Sequence, residues 1–189
     1  LRPNTVSGLF PRHVARLTAS AHHLDRGRTP WHLRSKVAGP VAPGAVILWD
    51  TFGELVSAYR LCRAAFVGGS LAPLGGQNFL EAVTSGVAPV IGPHWSNFAW
   101  VGDALFKKGL IQVAADWRQA VDLLAATLSQ APRREYVRRS ALRYFRERQG
   151  GTDRTCRLIE RALAKRHGHS ASAAGCANGF YSPNREVSP

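Results

Sequence analysis

The sequence predicts an α/β fold, a Rossmann-like parallel sheet flanked by helices. Short apolar runs alternate with amphipathic stretches along most of the 189 residues, the pattern of βαβ units. With 45% hydrophobic and 20% charged residues, the chain carries enough apolar surface for the core of one domain, which excludes a wholly disordered protein. Glycine-rich or polar segments follow several of the apolar runs, at the carboxyl ends of strands where open parallel sheets bind ligands.

Taken in order, buried strands are expected at residues 6–10, 45–49, 65–68, 88–91 and 110–113. A further run at 31–37 contains Arg34 and Lys36, which makes it an edge or exposed strand. Helices are expected at 11–24, 53–63, 78–85, 97–107, 116–128, 133–148 and 152–166. In the 116–128 helix, Trp117, Ala120, Val121, Leu124 and Leu128 recur at spacings of three and four, and Asp116 is available as the N-cap. The 133–148 helix keeps Tyr136, Val137, Leu142, Tyr144 and Phe145 among Arg133, Arg134, Arg138, Arg139, Arg143, Arg146 and Arg148, the composition of a surface helix with a solvated basic side. No internal repeat is visible. From His167 onward the chain turns to Gly, Ala, Ser, Asn and Pro without periodicity, so a domain over 1–166 and a disordered tail over 167–189 are expected.

Twenty-five Lys and Arg against twelve Asp and Glu leave a formal charge of +13, which calls for an anionic partner: a nucleotide, an acidic membrane surface or nucleic acid. Arg, Lys, Pro or Gly interrupts every hydrophobic stretch before it reaches membrane-spanning length. Cys62, Cys156 and Cys176 form no CxxC pair, so neither a disulfide framework nor a zinc site is suggested, and a reducing compartment fits. The absence of methionine and the opening at Leu1 point to a fragment or truncated product.

The most informative stretch is Phe66-Val67-Gly68-Gly69-Ser70-Leu71 followed by Gly75-Gly76-Gln77-Asn78-Phe79-Leu80-Glu81. A buried strand runs into a Gly-rich turn, and a second glycine pair opens a short helix whose N-terminus offers unpaired N–H groups to an anion. The spacing is neither a Walker A loop nor GxGxxG. Asn78 and Glu81, three residues apart, also match a capping box, so a structural cap and a ribose-binding carboxylate are both open readings. Asp50-Thr51-Phe52-Gly53-Glu54-Leu55 follows the 45–49 strand, where Asp50 or Thr51 can equally cap a helix. Pro11-Arg12-His13 follows the first strand, and Gly92-Pro93-His94-Trp95-Ser96-Asn97-Phe98 follows another. Four such loops converge on one rim, and Arg12 there can grip an anionic group. Asp103, Asp116 and Asp122 are not clustered as ligands, so neither a metal nor a cofactor is expected.

These blocks resemble the 3-deoxy-D-manno-octulosonic acid (Kdo) transferases. The matching strings are Pro11-Arg12-His13 with Arg16, Asp50 to Leu55, Phe66 to Leu71, Gly75-Gly76-Gln77-Asn78 with Glu81, and Gly92-Pro93-His94 with Asn97-Phe98, and a weaker likeness runs from Gly150-Gly151-Thr152 to about Leu163. The resemblance implies the C-terminal, donor-binding half of a GT-B glycosyltransferase that moves Kdo from CMP-Kdo to a lipid A precursor at the cytoplasmic face of the bacterial inner membrane. It implies donor-nucleotide contacts at Arg12, Gly53, Glu54, Gly69, Ser70, Gly76, Gln77, Asn78 and Glu81, with no catalytic residue here, since the family's base lies in an N-terminal domain.

The family usually has His where this sequence has Gln77 and Pro where it has Phe79; Gln77 keeps hydrogen-bonding capacity but cannot carry a proton. The family's N-terminal domain and the first βα unit of its donor domain would precede Leu1, so the isolated chain is expected to bind a cytidine nucleotide weakly, if at all, and to transfer no sugar. The arginine-rich helix would suit an anionic membrane surface. No nucleic-acid partner is expected, because no recognised module appears and the aromatics fit the helix's buried side. The alternatives are another GT-B nucleotide-sugar transferase or epimerase, and a non-enzymatic basic module that binds anionic lipid or nucleic acid.

Overall fold

The computed structural model describes residues 4–166, and its contacts divide the chain into two units, Leu1–Glu147 and Arg148–Pro189. The tail expected at 167–189 lies outside the described residues. The first unit opens with β1 (Ser7–Leu9), α1 (Arg16–Arg26), β2 (Trp31–Leu33) and β3 (Val46–Leu48). The three strands are parallel in the order β1-β3-β2, with Ser7 and Trp31 both opposite Val46. β2 is therefore an edge strand, as expected, although the charges behind that expectation, Arg34 and Lys36, lie past its end. It stops at Leu33 because the next three residues coil into a 3-10 turn, Arg34–Lys36, from which Arg34 reaches Glu54. Helix α1 starts later than expected, since residues 11–15 form turns in which the Arg16 and Leu17 amides donate to the His13 and Val14 carbonyls. No residue of α1 is fully buried, and the Trp31 indole ties its C-terminal end to β2 by donating to Asp25 at 2.8 Å.

The chain continues through α2 (Leu55–Leu61), α3 (Leu80–Thr84), β4 (Val90–Ile91), α4 (Ala104–Lys107), β5 (Gln112–Val113), α5 (Trp117–Ser129) and α6 (Arg134–Arg146). β4 and β5 pair in parallel, Val90 opposite Gln112. The strand expected at 65–68 is reduced to one parallel bridge, Phe66 to Val90. Gly68 and Gly69 draw the chain into a loop at that point, their carbonyls accepting from Gln77 and Gly76 at 3.2 and 2.8 Å. The strands accordingly fall into a three-stranded and a two-stranded sheet instead of one. The helix expected at 97–107 is a 3-10 segment, Ser96–Val101, and then α4, separated at Gly102.

The core sits in the second half of this unit, around Phe79, Val83, Leu105, Leu110, Val137, Ala141 and Tyr144. Phe79 is 1% exposed and meets the rings of Phe98 and Phe106, at centroid distances of 5.0 and 6.2 Å. The residue that departs from the family pattern at this position thus serves packing. The Tyr144 hydroxyl donates to the Val101 carbonyl, satisfying the polar end of a buried ring.

Two expected faces are corrected. In α5, Ala120 and Thr127 are buried, with Leu123 and Leu124 packed beside Val90 and Ala114, whereas Trp117 and Val121 point outward at 59% and 56% exposure. Thr127 can be buried because its hydroxyl donates to the Leu123 carbonyl and accepts from the Gln112 side chain. Asp116 does cap the helix, accepting from the Gln119 amide at 2.9 Å. In α6, Val137, Ala141 and Tyr144 face the core and Tyr136 is 54% exposed. Arg134, expected on the solvated side, instead donates to the carbonyls of Tyr59 and Ser85 at 3.0 Å and of Cys62 at 2.5 Å. The described part of the second unit, residues 148–166, contains α7 (Gly151–Arg166), whose Leu158, Ile159 and Leu163 are exposed.

Candidate functional site

Because β1, β2 and β3 are parallel, the segments that leave them emerge on one edge. Arg12 lies exposed just past β1. The next ends are joined by stacking of Phe10 on Trp49, with centroids 4.2 Å apart and planes at 21°. Past β3 the chain turns through Thr51, Phe52 and Gly53 into α2, and Glu54 anchors that turn. Its Oε2 accepts from Trp49 Nε1 at 2.8 Å and Thr51 Oγ1 at 3.0 Å. The Arg34 guanidinium meets both oxygens, Nε to Oε2 at 2.9 Å and Nη2 to Oε1 at 3.1 Å. Hydrogen bonds from Trp49 and Thr51 hold the Glu54 carboxyl below its ordinary pKa, against the opposing effect of desolvation, and the Arg34 charge adds a smaller lowering. Asp50 makes the parallel tie to the turn after β2, accepting from Ser35 N at 2.9 Å and Ser35 Oγ at 2.5 Å, and those bonds lower its pKa too.

The second group is the Gly-rich loop after Phe66 and the loop after β4. They are laced together by main-chain bonds: His94 N to Ser70 O at 2.9 Å and Asn97 N to Gly75 O at 3.0 Å. Gly76 sits at φ 80°, and a Cβ there would come within 3.2 Å of the Trp95 Cα and 3.3 Å of the His94 carbonyl, so the position requires glycine twice over. Gly69 packs against Gln77 in the same layer. The Ser70 hydroxyl is spent inside the protein, donating to the Val67 carbonyl at 2.9 Å and accepting from the Gly92 amide at 2.8 Å. What remains open to solvent is the far side of this platform, with Gln77 half-buried and Asn78 exposed.

Helix α3 is shorter than expected, five residues, so it contributes little macrodipole and is not by itself an anion site. It ends in a Schellman motif: the Gly86 amide, at φ 86°, donates to the Val83 carbonyl and the Val87 amide to that of Ala82. Its entry is a variant of the capping box. Asn78 Oδ1 accepts from the Leu80 amide at 3.1 Å, while Asn78 Nδ2 donates to Glu81 Oε1 at 2.7 Å. That bond holds a half-buried Glu81 carboxylate at the mouth of the loop with its second oxygen available as an acceptor.

The predicted residues therefore form two groups, Arg12, Gly53 and Glu54 at the ends of the first sheet, and Gly69, Ser70, Gly76, Gln77, Asn78 and Glu81 around the glycine loop. Helix α2, which starts directly after Glu54, packs against α3 and connects them. Arg34 and Trp49 were missed by sequence reasoning. Arg34 stood out only as a charge within a candidate strand, and the signal that finds it is its place at the carboxyl end of that strand beside a Trp-Asp-Thr-x-Gly-Glu turn. Among the described residues no group of three His, Cys, Asp or Glu side chains is placed to hold a metal ion, and no helix is long and apolar enough to cross a membrane.

No family model matches the chain. The 3-deoxy-D-manno-octulosonic acid transferase of Bordetella pertussis is 33% identical over 159 residues, which are 84% of this chain and 37% of that protein. The transferase of the same name from Haemophilus influenzae is 29% identical over 164 residues, 86% of this chain and 38% of that protein. The chain thus spans well under half the length of these relatives. Among solved structures, the C-terminal CMP-Kdo binding domain of WaaA from Acinetobacter baumannii superposes with a TM-score of 0.66 at 31% identity, covering 74% of this chain and 73% of that one. Sequence and fold comparisons agree, and the chain, similar in fold to the C-terminal domain of one member, belongs to the 3-deoxy-D-manno-octulosonic acid transferase family.

Proposed function

We propose that this chain is the donor-binding part of a glycosyltransferase that moves Kdo from CMP-Kdo to a lipid A precursor. The observation that carries the reading is the superposition on a CMP-Kdo binding domain over three quarters of the chain. The chemistry of the two groups suits it. Arg12, with its planar guanidinium fork, meets the donor's anionic groups. The glycine platform lets the donor approach main chain closely, and the oriented Glu81 carboxylate accepts from ribose hydroxyls. Gly53 and Glu54 form the turn that borders the pocket, and Gln77 and Asn78 supply neutral hydrogen bonds beside it. No residue of this chain is assigned to removal of the acceptor's proton; the part described here holds and orients the donor.

The acceptor would be reached at the cytoplasmic face of the bacterial inner membrane. Support for that location is the charge of +13 and a row of arginines, Arg139, Arg143 and Arg146, on the side of α6 opposite buried Val137, Ala141 and Tyr144. Nucleic acid is not assigned as a partner.

Calorimetric titration with CMP and then UMP, at low and moderate salt, tests the reading. CMP is expected to bind, weakly but in preference to UMP, and Arg12→Ala and Glu81→Ala to abolish that binding without unfolding the chain. Preference for UMP would move the chain to another nucleotide-sugar enzyme, and binding of neither nucleotide to a folded sample would overturn donor binding by this chain and leave a family fold without that function.

A further inference from the structure

Glu54 is the point at which the proposed donor site and the network behind it meet. Its carboxylate receives four donor groups from three residues: Trp49 Nε1, Thr51 Oγ1, and the Nε and Nη2 of Arg34. Three of these donors converge on Oε2 and the fourth takes one lone pair of Oε1, so most of the acceptor capacity of this carboxylate is committed to the network and its orientation is fixed by it. The tip of the same turn is open, with Phe52 80% exposed and Gly53 exposed beside it.

The network spans all three strand ends of the first sheet. Phe10, after β1, stacks on Trp49, after β3. The Arg34 guanidinium, after β2, lies 5.7 Å from the centroid of the Trp49 ring while its fork grips Glu54. Ser35, next to Arg34, holds Asp50 on the same side. Each tie crosses from the β2 or β1 end to the segment after β3, so the 51–54 turn cannot shift along the edge without breaking the ion pair. Arginine is suited to this work because a planar fork fixes both distance and orientation, which an ammonium does not.

We propose that Arg34 is a positioning residue of the donor site, holding the 51–54 turn through its two-pronged pair with Glu54 so that the main chain at Phe52 and Gly53, not the Glu54 carboxylate, faces the nucleotide. This rests on the donor-binding reading above. A base beside such a turn meets a fixed pattern of peptide N–H and C=O groups, and a rigid pattern discriminates cytosine from uracil, which differ in donor and acceptor at one ring edge. Loosening the turn therefore costs selectivity as well as affinity.

The test is calorimetric titration of the full 189-residue chain with CMP and UMP, for the wild type, Arg34→Ala, Arg34→Lys, Glu54→Gln and the Arg34→Ala/Glu54→Gln double variant, with a melting curve for each. Arg34→Ala and Glu54→Gln are each expected to weaken CMP by about tenfold or more and to bring the CMP-to-UMP ratio toward one. Arg34→Lys, with the charge but not the fork, falls between, and the double variant loses no more than Arg34→Ala alone, because both act through one pair. If Arg34→Ala does not fold, Arg34→Lys and Glu54→Gln carry the comparison. Wild-type CMP binding with unchanged affinity and unchanged selectivity in the folded variants overturns this inference alone, as does a double variant whose loss is the product of the single losses. A wild type that binds neither nucleotide overturns the donor-binding reading and this inference with it.

Discussion

At the residue scale, the loops of the candidate site are governed by space and by satisfied polar groups. Gly76→Ala introduces a methyl group at a positive φ and against the Trp95 backbone, and is expected to cost about 1–3 kcal/mol of stability, read as a lower urea midpoint. Asp50 and Glu54 give a pH dependence whose sign follows from their lowered pKa values. A carboxylate with a depressed folded pKa contributes stability above its unfolded pKa and loses it as pH falls through the folded value. With ordinary values of 3.8 and 4.5, the ties from Asp50 to Ser35 and from Glu54 to Arg34, Trp49 and Thr51 are intact at neutral pH and given up only as pH falls below that range. An acid titration of tryptophan fluorescence in Asp50→Asn and Glu54→Gln should show a smaller change there than the wild type; an identical change would separate these carboxylates from acid unfolding. The cysteines give a third readout. Burial pushes the Cys62 thiol pKa up, so it carries little thiolate at pH 8, whereas Cys156 is exposed. Iodoacetamide should label Cys156 well before Cys62, and equal rates would contradict the half-buried placement of Cys62. The sequence named Glu54, Asn78 and Glu81, because carboxylates and amides after apolar runs are visible as a string. It did not show that Glu54 is already paired or that the Ser70 hydroxyl is spent inward, because both depend on what another strand or loop brings alongside.

At the element scale, every expected helix exists in some form, since each stretch alternates apolar and polar residues at helical spacing. Their ends and faces were less legible. Helix α3 is only five residues long because Gly86 closes it, and the strand at 65–68 dwindles to a bridge because the glycines after it fold back. In α5 the stripe through Trp117 and Val121 and the one through Ala120, Leu123 and Thr127 overlap at Ala120 and Leu124, and only the partner surface at Val90 and Ala114 chooses between them. Arg134 is the sharpest case, because one arginine among the five of α6 joins three elements. It donates to the Tyr59 and Cys62 carbonyls at the end of α2 and to the Ser85 carbonyl at the end of α3, from the first position of α6. Those carbonyls belong to helix ends with no intrahelical donor left for them. Arg134→Ala should therefore destabilise by on the order of 2–3 kcal/mol, with Arg134→Lys recovering only part of it. A drop in the urea midpoint at unchanged m-value is the expected signature. Arg138→Ala, one turn along and exposed, serves as the comparison and should change little. Equal midpoints for the two alanine variants would remove Arg134 from the packing of α6 on α2 and α3.

For the whole molecule, the surplus of positive charge is too large to be used by the proposed donor site alone, to which Arg12 and Arg34 belong. On α6, the buried residues Val137, Ala141 and Tyr144 fix which side faces out, and Arg139, Arg143 and Arg146 follow at spacings of four and three along the opposite side. Arg139 is engaged by Glu135 at 2.7 Å, an exposed pair that is worth little and can be exchanged for an external anion. Such a row is suited to a surface of spaced negative charges, each arginine contributing about 1 kcal/mol near an anionic bilayer. The chain is expected to co-sediment with vesicles containing phosphatidylglycerol at low salt, to leave vesicles of phosphatidylcholine in solution, and to release from the former as salt shortens the screening length. Replacing Arg139, Arg143 and Arg146 together by Gln should weaken that partition by at least about tenfold while leaving the melting curve and CMP affinity unchanged, because none of the three faces the core or the proposed donor site. If the triple variant still binds as the wild type does, the attraction belongs to the charge of the whole chain and not to this helix. If anionic vesicles capture neither protein, the proposed approach to the membrane through α6 is wrong, and the nucleotide-binding reading, which the vesicle assay does not touch, stands or falls on the CMP titration.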